Sequence, residues 1–411
     1  MTFYSTNSFS REKLNYDIGS VKNIHYGDIH TKFPSIVSID NNKDIPFIND
    51  DLDLSKFSED QYLREGDLII ADASEDYEDI GKAIEVKDIN NEKVLAGLHT
   101  ILARDENDMA VNGFKAYLFS TNNLKTKIKI IANGISVLGI SKNNLSKLNV
   151  EIPSKKEQQN IVSFISDIDK KIELLEKKHQ LYLDFKNYLM QQIFAQKLRF
   201  KSADGEQYSD WKERNLYEFL TEHKLKSTGN EEVYSVSVHK GLVNQKEHLG
   251  RDFSAPDTSK YNLVKPGDIV YTKSPTGDFP LGIIKQSRVD KNVIVSPLYG
   301  VFTPETYALG YILNDYFESN VNTHNYLHPI VQKGAKNTMN ITNKTFLSKT
   351  LFVPTDVNEQ QKIAECFSKV NDSIRNIEIQ QNKVNEFKKG LLQQMFVVQL
   401  ILSLLQNKKH I

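Results

Sequence analysis

The sequence predicts an α+β protein: two mixed α/β globular domains separated by two long helices that form an antiparallel coiled coil, with an internal pseudo-two-fold repeat. Three observations predict it. A heptad seam runs through the stretch from Pro153 to Phe200, a second seam with the same interruptions begins at Pro354, and short β-like runs broken by turns fill the two stretches that remain.

In the first rod, apolar positions step by four and three through Ile161, Ile165, Ile168, Ile172, Leu175, Tyr182, Leu189 and Ile193, with His179 and Lys186 in the two polar steps. A shift of 202 residues gives Ile363, Phe367, Val370, Ile374, Ile377, Val384, Leu391 and Met395, with polar steps at Gln381 and Lys388. Across 157–194 and 359–396, 13 of 38 positions are identical without a gap. Coiled-coil bias alone would match the seam but not the shared Glu157-Gln158-Gln159 and Glu359-Gln360-Gln361, so an internal duplication is the better explanation.

The first domain, 1–153, alternates β-like runs (Val21–Tyr26, Asp67–Ala71, Lys82–Val86, Thr100–Ala103, Leu148–Ile152) with helical pieces near Gly113–Ser120 and Leu124–Ile131. Pro153 closes it, and Ser154 with Glu157 makes a capping box that opens the first rod, 154–200. After a polar linker, Ser202–Ser209, Trp211 begins the second domain within 201–353, and 354–411 holds the second rod and an apolar tail. The repeat extends into the domains: Gly66-Asp67-Leu68-Ile69 matches Gly267-Asp268-Ile269-Val270, Ile80-Gly81 matches Leu281-Gly282, and Ile140-Ser141 precedes Pro153 as Ile341-Thr342 precedes Pro354. Surfaces between these anchors diverge, as where Asp72-Ala73-Ser74-Glu75-Asp76 becomes Thr272-Lys273-Ser274-Pro275-Thr276.

Connectivity then sets direction. Roughly 40 helical residues span about 60 Å at ~1.5 Å each, while a globule of about 150 residues is only about 40 Å across. The second domain ties the end of the first rod to the start of the second, so those ends must lie close and the rods must be antiparallel. In that arrangement His179, Lys186, Gln381 and Lys388 lie along the seam, where they can fix register.

At 411 residues and 39% hydrophobic, the chain can bury two or three cores. Cys366 is the only cysteine, which excludes an intrachain disulfide or a thiolate zinc cluster and fits a reducing cytoplasm. The N-terminus lacks a signal-peptide core, and the apolar run Met395–Leu405, interrupted by Gln399, is too short to span a bilayer. Net charge is −1, with 17 basic and 24 acidic side chains in 1–153, so any DNA contact has to come from local patches or partner subunits.

Two unlike heads at a fixed separation suit a ligand with two unlike sites, such as duplex DNA, whose half-sites are read about one turn apart by dimeric proteins. The strand after Gly-Asp, the approach to each proline, the Glu-Gln-Gln-x-Ile rod starts and the Lys-Lys-Gly-Leu-Leu-Gln-Gln-Met-Phe run at 388–396 together resemble the specificity subunit of type I restriction-modification enzymes. The resemblance implies two target-recognition domains, each reading one half of an asymmetric bipartite site in double-stranded DNA. It implies helices that dock two modification (methyltransferase) subunits, with restriction/translocase subunits joining that core. It implies a chain with no chemistry and no cofactor of its own; S-adenosylmethionine, ATP and Mg belong to the partners. Copy two opens with Trp211 and Leu216 in the family's Trp-x-x-x-x-Leu pattern, whereas copy one has no equivalent before Ser8-Phe9-Ser10, which predicts a shortened N-terminus.

Base reading needs polar side chains on loops. In the first domain the candidates are His25, Tyr26, His30 and Lys32 on the loop 24–32, with Lys125, Lys127 and Lys129 for phosphates. In the second they are Lys273, Ser274 and Thr276, and Lys333, Lys336 and Asn337. Glu157, Gln158, Gln159, Glu359, Gln360 and Gln361 are the candidates for partner docking, because capping alone needs no Gln pair. The rival reading is a coiled-coil scaffold with two protein-binding heads. A free-standing nuclease finds little support: there is no Walker loop, no Gly-x-Gly-x-x-Gly and no His-Glu-x-x-His, and the spacing of Asp72 and Glu85-Val86-Lys87 arises easily by chance.

Overall fold

A computed structural model describes residues 1–249, 257–333 and 339–407, with side chains described up to Met395. The chain forms two compact units, Met1–Glu176 with Ile379–Ile411, and Lys177–Glu378. The division therefore falls inside the rods rather than at their ends: each unit takes one globular domain and one half of each rod. No helix among the described residues is long and apolar enough to cross a membrane.

The first unit is built on a five-stranded sheet in the order Thr2–Tyr4, Thr100–Arg104, Leu68–Ala71, Ala83–Lys87, Ile36–Ser38. Its three central strands are buried runs dominated by Ile, Leu, Val and Ala, so they read as continuous apolar segments rather than alternating ones, while the edge strands Thr2–Tyr4 and Ile36–Ser38 are only partly buried. Helices Phe114–Phe119 and Asn122–Ile131 lie where the pattern placed them. Two expectations change. The Val21–Tyr26 run is strand only over Lys22–Ile24, because His25 caps a helix, Tyr26–Thr31, by accepting from Gly27 N at 3.2 Å. Leu148–Ile152 is not a strand, whereas Thr350–Val353 in the second unit is one and pairs with Lys212–Asn215. Among the described residues of the first unit no strand lies where Lys212–Asn215 would, and an unpaired segment cannot form a ladder.

The second unit repeats the strand order with a four-stranded sheet: Leu220–Glu222, Gly300–Pro304, Ile269–Tyr271, Ile284–Gln286. In both units the Gly-Asp pair makes the turn into the central strand. Gly66 and Gly267 have φ of +81° and +87°, and the Asp carboxylate ties the turn by accepting from Arg64 N at 2.8 Å or Lys265 N at 2.7 Å. That requirement explains why the pair survives while the surface around it changes.

The rods are the helices Lys155–Phe194 and Val357–Asn407. In the first unit Ile161 and Ile165 pack with Leu391, Leu392 and Met395, while Asp169 pairs with Lys388. In the second, His179 meets Glu378 at 3.1 Å and Leu189 and Ile193 share a core with Ile363 and Phe367. Within each unit the rod segments thus run in opposite directions. The end of the first rod meets the start of the second, as the short linker requires: Arg199 reaches Glu359 at 2.9 Å. The seam's polar steps do more than set register. Lys186 turns into the second globular part to Glu318 at 2.5 Å and Asp315 at 3.7 Å, and Lys388 lies 5.8 Å from the ring of Tyr117. The apolar tail Val397–Leu405 falls outside the described side chains.

Candidate nucleic-acid interface

In the second unit the strand Ile269–Tyr271 delivers Lys273 to the rim of a cleft of about 230 Å³, lined also by Glu222, Lys224, Lys226, Tyr299 and Asn343. The approach is tight: Gly282 has φ +104°, and a Cβ there would fall 2.0 Å from Thr272 O, so only glycine lets the two segments close. Asn343 starts the short helix Asn343–Phe346, capped by Thr342, and its Nδ2 donates to Glu222 Oε1 at 2.9 Å. Asn343 Oδ1 is buried and has no hydrogen-bond partner among the described residues. Lys226 is held by Asn262 Oδ1, and Lys273 has no hydrogen-bond partner among the described residues. Burial pushes the Lys273 ammonium below its ordinary value, with Glu222 acting the other way. Ser274 and Thr276 are exposed beside it. Lys333 lies in the short strand Gln332–Lys333, while Lys336 and Asn337 lie outside the described residues.

The first unit places its candidates differently. His25 is 6% exposed and spent on its helix cap, and burial lowers its affinity for a proton. The stretch 24–32 is therefore a strand end and a helix, not an open loop. His30 Nε2 bonds Ala73 O at 3.0 Å, and Tyr26 stacks edge-on to His30 and His99. Lys32 is exposed but engaged with Tyr16 Oη at 2.7 Å and Asp28 at 3.4 Å. The helix Asn122–Ile131 keeps its lysines busy: Lys127 donates to Asn149 O at 3.0 Å and Lys129 pairs with Glu78 at 2.6 Å. Lys125 is half-buried, and its ammonium is lowered by burial against the pull of Asp79 and Glu78.

Where the second unit has Lys273 and Asn343, the first has Asp72 and Lys142. Asp72 ends the segment that follows Leu68–Ala71, with His99 Nδ1 at 3.4 Å, and burial raises its carboxyl against the opposing effect of His99. Lys142 starts the helix Lys142–Leu145, capped by Ser141, and donates to Tyr4 O at 2.6 Å. Glu85 does not join Asp72. It is buried and holds Lys115 Nζ at 2.7 Å, Gly113 N at 2.8 Å and Ala116 N at 3.1 Å, which leaves it unavailable to a metal. Among the described residues no group of three or more metal-ligating side chains comes together.

The docking candidates divide. Gln158 is 1% exposed; it accepts from Val111 N at 2.9 Å and donates to Pro153 O at 2.9 Å. Gln360 is likewise buried, accepting from Thr306 Oγ1 at 2.6 Å and donating to Pro354 O at 2.9 Å. Glu359 is fully buried, gripped by Arg199 and by Trp211 Nε1 at 3.1 Å. These three fasten rod to domain, so the first glutamine of each Gln-Gln pair has a structural reason that capping did not supply. Glu157 is half-buried, and Gln159 and Gln361 are exposed. Sequence reasoning missed Lys142, Asn343, Glu222 and the rod-anchoring tyrosines. Tyr117 Oη lies 3.1 Å from Ser166 Oγ and 3.0 Å from Asp169, and Tyr311 accepts from Asn371 Nδ2 at 3.0 Å. The signal for the first pair was present: Lys142 and Asn343 each directly follow the matched Ile-Ser/Thr.

Residues 12–181 match the family described as type I restriction modification DNA specificity domain. The chain as a whole is similar in fold to the type I restriction-modification system S subunit from M. genitalium, with TM-score 0.55 and 12% identity, covering 96% of this chain and 93% of that one. A likeness to the HsdS subunit from Thermoanaerobacter tengcongensis is weaker, with TM-score 0.40 and 14% identity over 82% of this chain and 81% of that one. No curated protein matches the chain in sequence.

Proposed function

We propose that this chain is the DNA sequence-specificity subunit of a type I restriction-modification complex, each globular part reading one half of an asymmetric bipartite site in double-stranded DNA. The observation that carries the reading is the recurrence of one strand order and one capped-helix approach around unlike surface residues. One scaffold presenting two different faces is what a bipartite target with unlike halves requires. In this reading the rods form an antiparallel coiled coil of two related repeats that sets the spacing, and the domains are 1–153 and 201–353, with spacers 154–200 and 354–411.

The rods also dock two methyltransferase subunits, to which restriction/translocase subunits add. Support comes from the rod surfaces: Phe185 and Phe387, identical in the repeat, are 48% and 56% exposed, which is unusual for phenylalanine outside an interface. Glu157, Gln159 and Gln361 remain docking candidates at the rod starts. The chain is non-catalytic and works in the cytoplasm; S-adenosylmethionine, ATP and Mg serve the partners. Lys273, Ser274 and Thr276 are the leading DNA contacts, with Tyr26, His30 and Lys32 in the first unit.

The acid-rich first unit favours a second reading, a scaffold with two protein-binding heads. Methylome sequencing of cells with and without the chain, in the presence of its modification subunit, separates the two. The proposal expects methylation at one bipartite sequence that disappears without the chain. Methylation unchanged by its removal would reject it.

A further inference from the structure

Single apolar side chains in water are ordinary. Leu298 differs because the fold holds it there. In the second unit the turn between strands Val293–Val295 and Gly300–Pro304 carries Ser296, Pro297, Leu298 and Tyr299. Tyr299 turns inward onto the core with Val264 and Val301, whereas Leu298 is 74% exposed. The turn is braced from one side chain: Asn262 Nδ2 donates to Tyr299 O at 2.9 Å and to Pro297 O at 3.4 Å. Leu298 N donates to Ser296 Oγ at 3.3 Å, and the proline ring fixes φ at 297. Asn262 Oδ1 also accepts from Lys226 Nζ at 2.5 Å, so the residue that braces the turn holds a cation beside it.

The surroundings of Leu298 are cationic. It lines the cleft of about 230 Å³ together with Lys224, Lys226 and Lys273, and Glu222 is the one carboxylate among the lining residues. A protein interface buries about 800 Å² on each partner, which a small apolar tip ringed by three ammonium groups does not supply. Duplex DNA fits both features. Its phosphates and base edges offer acceptors to the lysines, and its major groove offers one apolar group, the C5 methyl of thymine. In the first unit the turn between Val94–Ala96 and Thr100–Arg104 carries His99 instead, half-exposed and facing Asp72 at 3.4 Å. Imidazole is polar, so the two turns do not make the same contact.

Building on the DNA-reading function above, we propose that Leu298 determines specificity by packing against the C5 methyl group of one thymine in the major groove of the half-site read by the second unit. The lysines hold the duplex, and Leu298 distinguishes a pair that carries the methyl group from one that does not. The contact takes two apolar groups out of water together, so it senses the methyl group itself rather than a pattern of hydrogen bonds.

The test uses the complex of the full chain with its modification subunits, on the site that this complex selects from a randomised duplex pool. Replacing each thymine by uracil in turn removes one methyl group and no hydrogen bond. One replacement, in one half-site, should weaken wild-type binding by about four-fold, the worth of one buried methyl group. The Leu298→Ala complex should bind the thymine site less tightly and be indifferent to that replacement, while Leu298→Met keeps the response. Should the alanine variant melt early, the uracil series on the wild-type complex and on Leu298→Met still decides. A wild-type complex indifferent to every uracil, or a response that persists undiminished in Leu298→Ala, would overturn the inference and leave the bipartite reading intact. A wild-type complex that selects no bipartite sequence would remove the reading beneath it.

Discussion

The two rods begin with the same three residues and use them differently. Glu359 is sealed from water between Arg199 and Trp211, while Glu157 sits half-exposed; Gln158 and Gln360, by contrast, are buried alike, each donating to the proline carbonyl before its rod and accepting from its own domain, through Val111 N in one and Thr306 Oγ1 in the other. The glutamine does the same job in both places with different donors. The glutamates differ in setting: the linker that follows the first rod supplies Arg199 and Trp211 to Glu359, whereas Glu157 lies half-exposed. What the two rod starts share is what their interiors demand.

The sharpest break of that comparison is at the glutamates. Glu359→Ala strands the Arg199 charge and the Trp211 N–H, and should cost about 3–5 kcal/mol, read as a fall in Tm. Glu157→Ala should cost no more than about 1 kcal/mol. Equal losses would mean the two rod starts are equivalent after all. The glutamines should behave as a matched pair: Gln158→Leu removes the partner of Val111 N, Met109 O and Pro153 O, and Gln360→Leu that of Thr306 Oγ1 and Pro354 O, and each should lose a similar ~1–3 kcal/mol, measured by denaturant unfolding.

A pH series sharpens the contrast between the two interiors. Burial opposes ionisation of Glu318, but Lys285 and Lys186 outweigh it and bring the carboxyl down to about 2. Its contribution is present above the ordinary value near 4.5 and is lost as pH falls toward 2. Burial raises Glu85 despite Lys115 and two amide donors, so it favours the fold at low pH and loses that effect as pH rises through its raised value. Hydrogen exchange on lowering pH below the ordinary carboxylate range should therefore loosen helix Tyr307–Glu318 before strand Ala83–Lys87. The opposite order would contradict the assignment. The smallest effect on stability belongs to the rod phenylalanines. Phe185→Ala and Phe387→Ala should shift Tm little, since both rings face water, yet each should weaken capture of the methyltransferase subunit in a pull-down; retained capture would remove them from the interface.

Much of this was legible in the sequence. The heptad seams and the short linker dictated long helices whose ends meet, and Gly-Asp marked the central strand of each sheet because the turn needs a positive φ and a carboxylate. The surfaces were harder. Residues 24–32 looked like a polar loop because nothing local reveals that His25 caps a helix rather than faces solvent. Lysines 125, 127 and 129 looked like a basic stripe because their acidic partner Glu78 and carbonyl partner Asn149 lie far along the chain. Within the docking triplets the same holds for two residues: Gln158 and Gln360 satisfy backbone and hydroxyl groups that only the folded domain brings within reach.

A base-by-base substitution scan of the modified site, read as methylation by the assembled complex, bears most directly on the claim of two separate reading heads. The account predicts two clusters of sensitive positions flanking an insensitive gap, with Lys273 variants altering one cluster only. A single continuous block of sensitive positions, or variants that disturb both clusters together, would contradict it.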